Sequence, residues 1–177
     1  KDLFETPSLM TASLPENTEL SIAGNIKNFS SPTFDFNIKN LKSTKKDIDR
    51  YVPENQIPKD ISIPNYFTAT GHISGSTESI TTNIILTSDQ GTGKLTASLS
   101  DISKNPTYKG QLMVAGFEVG KLVKNATLGK VSGYIDFDGR GFDKPEVNLK
   151  GRIKDAFYDG KKYQNIDFAA INGNSKY

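Results

Sequence analysis

Residues 142–168 read FDKPEVNLKGRIKDAFYDGKKYQNIDF. Val147, Leu149 and Ile153 share one parity, and Ile166 and Phe168 share one parity further on. Lysine, aspartate and asparagine fill most of the positions between them. Successive side chains of an extended strand point to opposite faces, so this alternation makes strands that are apolar on one side and wet on the other. The stretch reads as three short alternating runs. DGKK at Asp159 to Lys162 carries the two-residue hairpin signal Asp-Gly, and Asp155 is expected to begin that hairpin. No long helical pattern lies nearby to cover the apolar side. Whether protein covers it decides between a closed fold and an open one.

The same pattern runs through the rest of the chain. Leu20, Ile22, Gly24 and Ile26 alternate with polar residues, and TFDFNIK places Phe34, Phe36 and Ile38 at strict period two. ITTNIILTSD is apolar at Ile84, Ile85 and Leu86, and the GTG of Gly91 to Gly93 suggests a hairpin turn. Leu95, Ala97 and Leu99 share a face, as do Tyr108, Leu112 and Val114, and then Val131, Ile135 and Phe137. Two short helices interrupt the strands. Thr44 to Tyr51 can be capped by Ser43 or Thr44, carries Asp47 near its start and is stopped by Pro53. Phe117 to Lys124 is the second, weakened by Gly120. Residues 53–64 hold Pro53, Pro58 and Pro64 and read as an extended linker anchored by Ile57, Ile61 and Ile63.

The strands come in similar pairs. LSIAGNIKNFSSPTFDFNIKNL, LTASLSDISKNPTYKGQLMVAG and YIDFDGRGFDKPEVNLKGRIKD each hold an alternating strand, a polar loop with a proline (Pro32, Pro106, Pro145) and a second alternating strand. Gly71 to Leu86 has the form of a fourth unit without the proline. The 177 residues are therefore expected to be one β-rich fragment of a longer repeating chain, with units of roughly 1–56, 57–94, 95–130 and 131–177. Repeated hairpins favour a long bent sheet, antiparallel or mixed, with one or two short helices. A two-layered β-sandwich would also bury one-faced strands and is the alternative.

Several function classes are excluded. The 22 basic and 20 acidic residues are scattered, so there is no nucleic-acid footprint. There is no cysteine, and the lone histidine, His72, has no metal-ligand cluster around it. Glycines near a lysine at 91–94 lack the lysine-hydroxyl pattern of a phosphate loop. Asp136, Asp138, Asp143 and Asp155 are close in sequence but fall on polar faces or turns, so no paired-carboxylate catalyst is expected. The expected protein is not an enzyme and needs no cofactor. Exposed tyrosines such as Tyr66, Tyr158 and Tyr163 suit a different class, a β-sandwich module that binds glycan or protein at the cell envelope.

The run FEVGKLVKNATLGKVSGYIDFDGRGFDKPEVNLKGRIKDAFYDGKKYQNI resembles the AsmA-like/TamB envelope proteins, especially TamB relatives of Bacteroidetes-type bacteria. The matching positions are Gly120 to Leu122, Leu128-Gly129, Gly139 to Phe142, Gly151 to Ile153 and Tyr158 to Ile166. GNIKNFSSPTFDFNIKNLKSTKKDIDRYVPE and IPKDISIPNYFTATGHISGS resemble preceding units of the same family, so the likeness runs from about Leu20 onward. The resemblance implies a β-taco, a bent sheet whose concave face is a hydrophobic groove. It implies a periplasmic segment of a protein anchored in the inner membrane, which moves phospholipid between the membranes and supports outer-membrane biogenesis. An outer-membrane barrel of the TamA/BamA type is the implied partner, and phospholipid or another acyl chain the implied ligand. The residues expected to line the groove are Phe34, Phe36, Ile38, Leu95, Leu99, Leu112, Val114, Ile135, Phe137, Val147, Leu149, Ile153 and Phe168. Each is equally an ordinary core residue if the fold closes.

Overall fold

The computed structural model describes residues 8–14, 17–28, 30–51, 61–142 and 144–172. Ten strands form one sheet in the order of the sequence. They are β1 (Ser8–Leu14), β2 (Thr18–Lys27), β3 (Thr33–Thr44), β4 (Tyr66–Ser76), β5 (Ser79–Ser88), β6 (Gly91–Ser100), β7 (Thr107–Glu118), β8 (Leu128–Arg140), β9 (Glu146–Tyr158) and β10 (Lys161–Asn172). Every neighbouring pair is antiparallel. β1 and β10 stand at opposite ends of the order, so the sheet is open. This is the expected single sheet in its antiparallel form, and the β-sandwich alternative fails because all ten strands belong to a single sheet. Short hairpin connections allow only antiparallel neighbours, and a meander built from them has no reason to fold into two layers.

The hairpins β2–β3, β4–β5, β6–β7 and β8–β9 all turn at one end of the sheet, and Pro32, Pro106 and Pro145 sit in three of those turns. The two helices, α1 (Lys45–Tyr51) and α2 (Val119–Leu122), sit at the other end. Thr44 caps α1 by accepting a hydrogen bond from Asp47 N at 3.3 Å. Ser43 is engaged instead with the Thr18 hydroxyl at 2.8 Å. Asp47 is 1% exposed and accepts hydrogen bonds from Asn17 N at 3.1 Å and Thr18 Oγ1 at 2.7 Å. The helix is thus pinned to the start of β2. α2 is shorter than the sequence suggested, because Phe117 and Glu118 still belong to β7. Ser62 N donates to Leu122 O at 2.7 Å, so the segment entering β4 reaches across to α2. Glu118 N donates to Gln90 O at 2.6 Å and ties in the β5–β6 turn.

Two other turns differ from expectation. The β5–β6 reversal is made by Asp89 and Gln90, and Gly91 to Gly93 already pair within β6. Asp155 does not begin a hairpin. β9 runs through it to Tyr158, and the chain reverses at Asp159 and Gly160, with φ of 48° and 72°. Two positive φ values in a two-residue loop are what a type I′ hairpin needs. Residues 142–168 therefore hold two long strands and not three short runs. Of the linker at 53–64, only residues 61–64 are described, and Ile57 lies outside the described residues.

Register shifts occur between Ser21 and Ile22, Ile38 and Leu41, Val114 and Phe117, Leu128 and Val131, and Ser132 and Gly133. All lie in the half of each strand nearer the helices. Such bulges bend a strand and increase its twist, and their alignment across neighbouring strands curls the sheet along a common line. Among the described residues most of the buried side chains gather at this end, while Pro106 is buried in the β6–β7 turn at the other. Thr18, Ser43, Asp47, Ala69 and Gln90 are all buried there.

Candidate functional site

Paired residues of antiparallel strands point to the same face, so the register decides what each face carries. From β2 to β5 the pairs run Ile22 to Ile38, Ile26 to Phe34, Phe36 to Ile73, and Ile84 to Gly71. From β5 to β8 they run Ile84 to Leu95, Leu95 to Leu112, and Leu112 to Ile135. From β8 to β10 they run Phe137 to Leu149, Ile153 to Ile166, and Gly151 to Phe168. All thirteen residues expected to line a groove fall on this one face. Val114 pairs with Gly93 and Gly133, Leu99 with Ile80 and Tyr108, and Val147 with Gly139.

The expected set was incomplete. Leu20, Ile22, Leu41, Ile73, Ile80, Ile84 and Leu86 continue the same face through β2 to β5. The signal that would have found the β5 members is the alternation Ile80, Thr82, Ile84, Leu86, which Ile85 obscures. Ile85 is on the opposite face and 43% exposed.

Among the described residues no second layer closes over the apolar face. Among the described alanine, valine, isoleucine, leucine, methionine, phenylalanine and tyrosine side chains, only Ala69 is buried. Most of the others on the apolar face are half-buried by their neighbours in the sheet, and Leu112, at its middle, is 36% exposed. Glycine and aromatic residues share the surface. The Phe36 ring lies over Gly24, Phe137 over Gly110, Tyr108 over Gly139 and Phe168 over Gly151, with ring carbons 2.6 to 2.9 Å from where a Cβ would stand. Phe34 and Phe36 stack with centroids 5.8 Å apart. The large rings thus occupy the space that a side chain would take at these glycines.

The opposite face is polar and held by cross-strand pairs. His72 meets Asp35 at 2.9 Å, Gln111 donates to Asp136 at 2.7 Å, and Asn148 donates to Asp138 at 2.9 Å. Arg140 contacts Glu146 at 2.7 Å, and Arg152 grips Asp167 with two bonds of 2.6 and 2.8 Å. Lys162 contacts Asp155 at 2.7 Å, and Gln164 donates to the same carboxylate. These bonds hold the Asp155 and Asp167 carboxyls below the usual aspartate range, through Lys162 and Gln164 for the first and Arg152 for the second. The carboxylates near one another in sequence are thus spent on neighbouring strands, and Asp143 lies outside the described residues. Among the described residues no three His, Asp or Glu side chains converge on a metal position.

Two open hollows, of about 810 and 570 Å³, lie along the polar face and meet at Ser98, Lys109 and Asp138. Of the thirteen expected residues only Phe137 and Val147 contribute to their walls. The apolar face is a track of side chains and the hollows are polar, so the two features offer different chemistry. Tyr66, Tyr158 and Tyr163 are exposed, on β4, β9 and β10. No helix among the described residues is long and apolar enough to cross a membrane. No protein-family model, curated protein or solved structure matches this chain.

Proposed function

We propose that the apolar face is a lipid-carrying surface, and that this chain is a segment of a groove that conducts phospholipid between inner and outer membrane. The reading places it in the periplasm as part of a TamB-like protein that supports outer-membrane biogenesis, with an outer-membrane barrel of the TamA/BamA type as partner. One observation carries it: an apolar face continuous from β2 to β10 over which the described residues place no second layer. An acyl chain laid on that face would gain about 0.8 kcal/mol for each methylene removed from water. Because every strand offers the same chemistry, the gain changes little as the chain shifts from one strand to the next. No proton, metal or nucleophile is required for that task. The sequence resemblance supports the same assignment.

The test is lipid extraction and native mass spectrometry of the chain purified without detergent. Bound acyl chains are expected. Leu112→Glu places a carboxylate mid-track at a site already one-third exposed, and it should lower bound lipid on the order of 10-fold while circular dichroism stays unchanged. Thr96→Glu, on the polar face, should leave lipid binding as it was. A chain that comes out lipid-free and takes up no fluorescent fatty acid would end this reading.

A further inference from the structure

The larger hollow of the polar face, about 810 Å³, is lined by the middle strands, β4 to β9. One row of paired residues crosses it: His72, Asn83, Thr96, Gln111, Asp136 and Lys150, one from each strand. In the next row Lys109 of β7 stands across from Asp138 of β8, and both line the hollow. β8 thus presents two aspartates, each with an amide paired on one side and a lysine on the other. Asp136 accepts from the Gln111 amide at 2.7 Å, and Asp138 accepts from the Asn148 amide at 2.9 Å. The lysine on the other side is left over each time. Among the described residues neither Lys109 nor Lys150 has a hydrogen-bond or ion-pair partner, although each faces a carboxylate on the neighbouring strand.

We infer that this hollow binds a neutral oligosaccharide, with sugar hydroxyls bridging Lys109 to Asp138 and Lys150 to Asp136. A hydroxyl both donates and accepts, so two adjacent hydroxyls on one sugar satisfy an ammonium and a carboxylate together. Hydrogen bonds to ionised groups are the strong ones, and these two lysines have no bond to give up first. The Asn83 amide and the Thr96 hydroxyl extend the same donor and acceptor chemistry across β5 and β6. The two lysines and two aspartates lining the hollow cancel in charge, so an anion gains no net attraction there. A peptide strand would need a sheet edge or apolar anchor pockets, and two polar rows in the middle of a sheet provide neither. Neighbouring strands stand about 4.8 Å apart, close to the length of one pyranose in a glycan chain. A glycan laid across the strands therefore meets one row position per sugar. The site lies on the face opposite the apolar track, so its failure would leave the lipid reading untouched.

Calorimetric titration of the chain with cellohexaose, maltohexaose and chitohexaose tests the inference. At least one should bind with a dissociation constant of about 0.01–1 mM, and the amide signals of Thr96, Gln111 and Asp136 should shift as it saturates. Lys109→Gln and Lys150→Gln should each weaken that binding by about 3- to 30-fold, with circular dichroism unchanged. Lys94→Gln, on the same face but outside the hollow, should leave it as it was. The ligand is uncharged, so the affinity should stay within about 2-fold between roughly 0.05 and 0.5 M salt. Three sugars that fail to bind would overturn the inference. So would a steep loss with salt, or an equal loss from Lys94→Gln. Tighter binding of an acidic peptide than of any sugar would also overturn it, and would assign the hollow to a protein partner.

Discussion

At the scale of single residues the apolar face is shaped by what is missing. Gly110 lies between Ala97 of β6 and Phe137 of β8. A Cβ there would meet the Thr96 carbonyl, stand 2.9 Å from Ala97 Cα and run 2.7 Å from the Phe137 ring. The backbone atoms cannot yield cheaply, so the strand would have to shift. Gly93 is on the same face, one strand away, and its nearest obstacle is Met113 O at 3.8 Å. Gly110→Ala should therefore lower stability by about 1–3 kcal/mol, and Gly93→Ala should stay within about 0.5 kcal/mol of the parent. Urea denaturation midpoints compare the two directly. Equal costs would mean that the close approach at Gly110 does not constrain the sheet. Nothing in the sequence distinguishes these two glycines, because the distance that separates them is set by the curl of the neighbouring strands.

At the scale of elements, the β9–β10 hairpin is held on its wet side by Arg152 with Asp167 and by Lys162 and Gln164 with Asp155. Both carboxyls are held below their ordinary value in the fold. An acid depressed by folding stabilises the fold fully above its unfolded value of about 3.9. That contribution is lost as pH falls through the lower folded value. The hairpin should therefore loosen as pH falls below the ordinary aspartate value of about 3.9, and the effect should be small because both groups are exposed. Amide signals of β10 followed by NMR should broaden there first. The double variant Asp155→Asn with Asp167→Asn should flatten that dependence, and an unchanged profile would show that other groups set it. The strands of this hairpin were legible from Val147, Leu149, Ile166 and Phe168 alone, and Asp159-Gly160 fixed the reversal. The ends were not. Asp155 looked like a turn residue because aspartate favours turns locally, but its cross-strand partners Lys162 and Gln164 outweigh that preference. Gly91 to Gly93 misled in the same way: they pair within β6, Gly91 with Ser88 and Gly93 with Leu86 and Val114, and the reversal falls on Asp89 and Gln90.

At the scale of the whole molecule, a ten-stranded sheet whose few buried side chains gather mainly at one end leaves most of its apolar surface half in water. Parity in the sequence placed all thirteen expected residues on one face, because alternation is a property of the strand itself. It could not say whether that face would be covered, since a sandwich and an open sheet share the same alternation. The decision came from connectivity: every link within the repeated hairpins is short enough to force neighbours side by side, and α1 and α2 both sit at one end of the strands. A surface left in this state gains stability from any apolar ligand that binds the folded sheet and not the unfolded chain. A soluble acyl ligand at 100 times its dissociation constant should add about 2.7 kcal/mol. For a chain of this length that corresponds to a rise in melting temperature of roughly 5–10 °C. Calorimetry on chain stripped of lipid by organic solvent and refolded, with and without a short-chain lysophospholipid below its micellar threshold, makes the comparison. Leu112→Glu should lose most of the rise while Thr96→Glu keeps it. A melting temperature indifferent to the ligand in every variant would mean that the face is satisfied by contact with protein, and would shift the assignment from carrying lipid to docking a partner.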